Sequence, residues 1–117
     1  MQQRDVQRLA HICDYCEDME KYLSAIHNDY STFLSDSMCQ HSVAFCVLQI
    51  GELVSKLSDE LRTETANEIN WAAIKGMRNI VVHDYGHIDL EVLWSVAKED
   101  APVLKRFCQK FLSQQSD

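Results

Sequence analysis

SVAFCVLQIGELVSKLS, residues 42–58, decides how this chain folds. Val43, Cys46, Val47, Ile50, Leu53, Val54 and Leu57 recur at alternating steps of three and four, the period of a helix that buries one stripe. The pattern predicts a helix over about 36–57, in which Gly51 permits a close approach and Glu52 could reach a neighbouring helix or stay solvated. Ahead of it, Val6, Leu9, Cys13, Cys16, Leu23 and Tyr30 follow the same steps, interrupted only at Glu20. They predict a first helix over about 5–27, and the polar stretch 28–37 reads as its connection.

Beyond the opening stretch, Ser58 and Asp59 read as a turn, or as a cap for a short helical piece through Leu61. The polar residues 62–70 lead to Asn70, a natural cap for a helix over about 71–85, which Gly86 would end. Asp89 can cap the last helix, carrying Leu90, Leu93, Trp94, Ala97, Val103, Leu104 and Phe107. Pro102 falls inside that pattern and should kink or split it, because proline removes a hydrogen bond and crowds the preceding turn. One Pro and three Gly are too few for the turns of a sandwich or barrel. Four main helices with short connections predict an all-α antiparallel bundle. At 117 residues, 46% hydrophobic and 25% charged, residues 1–117 form one domain.

The net charge of −7 excludes a protein that coats nucleic acid by general electrostatics, so any RNA must meet a local cationic site. Asp14, Glu17, Asp18 and Glu20 crowd one early segment, while Lys75, Arg78, Lys98, Lys105, Arg106 and Lys110 gather later. The acidity would equally suit a basic protein partner. No secretory signal and no apolar run near the ~18 residues of a membrane span are visible, so a cytoplasmic location without membrane contact is expected. The odd count of five cysteines then reads as reduced thiols. Cys13 and Cys16 have the spacing of half a zinc or redox site, but no second pair follows and both lie on the apolar seam. Core packing is the better account, and neither a metal nor a cofactor is expected. His11, His27 and His41 are scattered, and His87 lies just past Tyr85, where a loop position is the simplest reading.

The chemistry concentrates in Arg78-Asn79-Ile80-Val81-Val82-His83-Asp84-Tyr85. Arginine grips phosphate through a rigid fork of donors, and histidine exchanges a proton near neutral pH. Together they can cut RNA without a metal, because the 2'-hydroxyl supplies the nucleophile. On a helix Asn79 and His83 stand one turn apart, Arg78 and Tyr85 two turns apart, all within an arc of roughly 160°. A plainer account is also open, in which His83 meets a helix dipole and Arg78 pairs with an acidic neighbour.

Arg78-Asn79, His83 and Tyr85 complete an Arg-Asn-x-x-x-His-x-Tyr motif, and the chain resembles the HepT-like branch of the HEPN superfamily. Ile50-Gly51-Glu52-Leu53, Trp71 to Met77, Leu93-Trp94 and Asp100-Ala101-Pro102-Val103-Leu104 share that resemblance. It implies a four- to five-helix bundle that pairs into a homodimer, the two motifs meeting in one cleft. It also implies a metal-independent endoribonuclease toxin, leaving 2',3'-cyclic phosphate ends. Arg78, Asn79 and His83 would be its catalytic residues. A minimal nucleotidyltransferase antitoxin would silence it by attaching AMP to Tyr85. The competing expectation is a non-catalytic helical subunit that binds such a nucleotidyltransferase.

Overall fold

The structure, a computed structural model, describes residues 3–82 and 88–115, with backbone alone at 80–82. Its elements in chain order are α1 (Gln3–Ala25), α2 (Tyr30–Ser35), α3 (Ser37–Ser55), α4 (Asp59–Glu64), α5 (Trp71–Val82) and α6 (Leu90–Ser95). A π-helical turn (Val96–Asp100) then leads into α7 (Ala101–Gln114), and no strand occurs among the described residues. The long apolar helix α3 lies at the centre, packed against both α1 and α5, and α1 also packs on α7. Asp5 near the start of α1 meets Ser58 beyond the end of α3, and the Cys39 thiol at the start of α3 faces the Tyr22 carbonyl late in α1. These two helices therefore run antiparallel.

Caps at the helix starts explain why the elements begin where they do. Asp36, Ser58 and Asp89 each accept a hydrogen bond from the backbone N–H three residues on, and Asn70 does the same for Ala73 at 3.1 Å. The expected starts of the three later helices are thus borne out. The end of the helix expected at Tyr85 and Gly86 lies outside the described residues.

Several expectations need correction. Tyr30 is not on the seam of α1: it is 37% exposed, opens the unexpected helix α2, and its ring packs at a tilt against Trp94, 5.2 Å between centroids. The chain leaves α1 earlier, through His27 and Asn28, both left-handed, with the Asn28 N–H returned to the Leu23 carbonyl at 2.8 Å. Glu20 interrupts the stripe as expected and stays exposed, and Met19 continues it. Helix α4 runs past Leu61 to Glu64, and the supposedly polar connection buries Thr65 and Ile69.

Pro102 splits the last helix, and the split takes the form of a widened turn. The Ala101 N–H bonds the Val96 carbonyl, five residues back. The extra room relieves the clash between the proline ring and the carbonyl four residues before it. Because the wide turn rotates α7 about its axis, Val103 is 49% exposed rather than buried, while Leu104 and Phe107 face the core. No helix among the described residues is long and apolar enough to cross a membrane.

Candidate active site

Trp71 anchors α5, the helix that carries the motif. Its indole N–H donates to the buried Thr65 hydroxyl at 2.8 Å, which itself donates to the Leu61 carbonyl at 2.7 Å. The ring packs edge-on against Phe107 at 5.5 Å. Ile74, one turn on, is buried in the same core. With Trp71 and Ile74 holding one flank, Arg78 falls on the side of α5 that crosses α3.

The crossing is close because Gly51 offers only a hydrogen. A Cβ built at Gly51 would stand 3.1 Å from the Cβ of Arg78. The arginine stem lies over that bare backbone, and its guanidinium donates to the carboxylate of Glu52, the next residue on α3. The Arg78 side chain is 37% exposed and Glu52 50%, so the pair is solvated on one face. A pair so exposed contributes only about 0–1 kcal/mol to stability. Its effect is positional: the stem is held by packing and the fork by charge, leaving further donors free for an anion. Of the two positions open to Glu52, the reach to a neighbouring helix is the one present, and Glu52 is also the acidic neighbour that the plainer account gave to Arg78.

Asn79 comes next, exposed on the adjacent part of the helix surface. His83 and Tyr85 lie outside the described residues, as do Gly86 and His87. Arg78 and Asn79 thus share one solvent-facing side of α5 near its end, with Lys75 exposed a turn before them.

The other titratable candidates take structural places. Cys13 and Cys16 are buried in the core, and burial pushes both thiols up, Cys16 to about 12. Cys39, Cys46 and Cys108 are buried too, and all three thiols are raised chiefly by desolvation. No group of three metal-ligating side chains gathers among the described residues. His11, His27 and His41 are exposed and apart from the α3–α5 crossing. Most of the later cations are matched: Lys105 with Glu20 at 2.9 Å, Lys110 with Glu68 at 3.8 Å, and Lys98 with the Asn28 side chain at 3.2 Å.

Comparisons with known proteins identify the family. The family model described as Ribonuclease HepT-like matches residues 12–111. "Putative RNase MJ1380" of Methanocaldococcus jannaschii is 31% identical over 107 residues, covering 91% of this chain and 95% of its own. "Putative RNase MJ0125" of the same organism is 27% identical over 113 residues, covering 96% and 95%. "Probable ribonuclease HepT" of Thermococcus cleftensis is 29% identical over 96 residues, covering 79% and 87%. No solved structure gives a significant match. A helical bundle with an arginine held at the α3–α5 crossing, matched over most of its length by this model and these relatives, belongs to the HepT-like ribonuclease family.

Proposed function

We propose that the protein is a metal-independent endoribonuclease, acting as the toxin of a pair whose antitoxin is a minimal nucleotidyltransferase. The observation that carries this is Arg78, packed over Gly51 and aimed by Glu52, in a chain of the HepT-like family. The fork of Arg78 would grip the scissile phosphate and offset the charge that builds on it in the transition state. His83, five residues on, would take the proton of the 2'-hydroxyl. The freed oxygen attacks the adjacent phosphorus and the 5'-oxygen leaves, protonated by a second imidazolium. The products are a 2',3'-cyclic phosphate and a 5'-hydroxyl end. Asn79 would orient the imidazole or bind the substrate.

On one helix Arg78 and His83 are offset by about 140°. A two-fold homodimer with both motifs in one cleft brings the missing angle from the partner copy. Tyr85 would accept AMP: its oxygen attacks the α-phosphorus of ATP, pyrophosphate leaves, and the proton passes to solvent. The added anion would occupy the site at Arg78 and repel RNA.

Purified wild type and His83→Ala, incubated with total RNA in EDTA, test the reading. Cleavage by the wild type alone, with cyclic phosphate ends, is expected. Cutting by His83→Ala overturns it. No cutting by either, with mass spectrometry showing Tyr85 unmodified, favours the non-catalytic binding subunit, a reading in keeping with the net charge of −7.

A further inference from the structure

Two arginines from different helices reach the last turns of α3. From α5, Arg78 binds Glu52; from α1, the guanidinium of Arg8 donates to the backbone carbonyl of Lys56, the residue that closes α3. Glu52 and Lys56 are one turn apart, a separation of about 5–6 Å between their Cβ atoms. Arg4, exposed, precedes Arg8 by one turn on α1, and the Lys56 side chain is exposed.

Three of the nearby carboxylates are already engaged, while Glu60 in the first turn of α4 is exposed. Asp5 is buried and accepts from the Ser58 N–H and hydroxyl at 2.9 and 2.5 Å. Asp59 pairs with Arg62 at 2.6 Å, and Glu52 with Arg78. Arg4, Arg8 and Lys56 have no carboxylate partner among the described residues, unlike Lys105 and Lys110. A chain of net charge −7 therefore carries three basic side chains without an ion pair at the end of the helix whose Glu52 holds Arg78.

We propose that Arg8 and Lys56, with Arg4 at the edge, form a second phosphate subsite, which holds the RNA backbone at a phosphate neighbouring the one on Arg78. The proposal rests on the ribonuclease reading above. Arg8 commits one donor to the Lys56 carbonyl, which aims its fork and leaves the other N–H groups for a phosphate. Lys56 adds a mobile charge on a flexible stem. One turn of α3 is of the order of the distance between successive phosphates in an extended strand. Such a subsite reads backbone rather than base, so it supplies affinity and register without sequence preference.

The test uses the full chain in EDTA. Binding of a fluorescein-labelled single-stranded oligoribonucleotide is followed by anisotropy at several KCl concentrations, in a His83→Ala background that cannot consume it. Lys56→Gln, Arg8→Gln and the double variant are compared with Lys110→Gln, a charge-matched change on α7 at a lysine that pairs with Glu68. The double variant should bind about tenfold more weakly, with the slope of log K on log salt reduced by about 0.7 for each lost contact. Lys110→Gln should match the parent. In the active chain the same double variant should raise KM about tenfold and change kcat by less than about twofold, the pattern of lost uniform binding.

Lys56→Gln removes no hydrogen bond of the fold, so it decides the matter even if Arg8→Gln loosens the end of α3. Unchanged affinity and slope in Lys56→Gln and in the double variant overturn the subsite, whatever the cleavage assay shows. A reduced slope in a chain that cuts no RNA supports the subsite and overturns the ribonuclease reading instead. Absence of RNA binding by every variant overturns both.

Discussion

Asp5, only 1% exposed, gives both carboxylate oxygens to Ser58, which in turn caps α4 through the Leu61 N–H at 3.1 Å. One acidic side chain thus ties the start of α1 to the turn after α3. Asp5→Ala should cost about 1–3 kcal/mol, since it strands the half-buried donors of Ser58, and urea unfolding measures it. A loss under about 0.5 kcal/mol would mean that water replaces the carboxylate. Glu52 is the opposite case. Glu52→Gln should leave stability within about 1 kcal/mol, because the pair is half exposed. It should lower kcat/KM for RNA about tenfold, or about 1.4 kcal/mol, by letting the Arg78 fork wander. Glu52→Asp should recover part of that loss, and an unaltered rate in Glu52→Gln would remove Glu52 from the positioning of Arg78. Glu52 was legible in the sequence because Gly51 sits beside it on a clear stripe. Asp5 was not: it reads as an ordinary first-turn acid, and its partner is 53 residues away.

Among the helices, α3 and α5 hold two glycines in contrasting settings. A Cβ at Gly76 meets nothing within 4 Å, whereas one at Gly51 presses on Arg78. Gly76→Ala should therefore gain about 1 kcal/mol from helix propensity alone, raising Tm in a thermal melt. The same change at Gly51 brings the same propensity but must push α5 outward, so its net effect on Tm should be small or negative while RNA cleavage falls. Equal stabilisation by both would show that the crossing yields freely. Helix starts were legible because a cap needs only its own residue and the N–H three positions on. Elements that depend on distant packing were not. Helix α2 has six residues and rests on Trp94, far along the chain. Thr65 reads as a polar linker residue, yet it holds the Trp71 indole and with it the angle of α5.

Across the whole molecule, all five thiols lie in the core and are free. Burial raises Cys16 and Cys46 from 9.0 to about 12, so at pH 8 very little thiolate is present. Native protein treated with iodoacetamide at pH 8 should keep its mass, and take five adducts in urea; rapid native labelling would refute the burial. The same burial makes stability depend on pH. A thiol whose folded value is raised favours folding fully below its unfolded value near 9 and loses that contribution as pH climbs towards 12. Urea midpoints should fall between pH 9 and pH 11. The bundle itself was legible from periodicity, since a stripe repeated every three or four residues demands a partner surface. The basic end of the bundle was not, because Arg8 and Lys56 meet only once α1 and α3 are folded side by side.

The π-helical turn ahead of Pro102 contains one residue more than an α-helical path would need. Helix α6 faces α3 and α5, and the turn swings α7 onto α1. Removing a single codon within Val96–Asp100 would restore ordinary winding and leave the faces of α7 where they are, because the five residues of the wide turn advance about as far as four of an α-helix. Leu104 and Phe107 would still face the core and Val103 would stay outside, but Pro102 would again crowd the carbonyl four residues before it. In relatives without a proline at this place the extra residue has no task, so a one-residue shortening between Leu90 and Phe107 should accompany the loss of that proline, and other length changes should fall outside the segment.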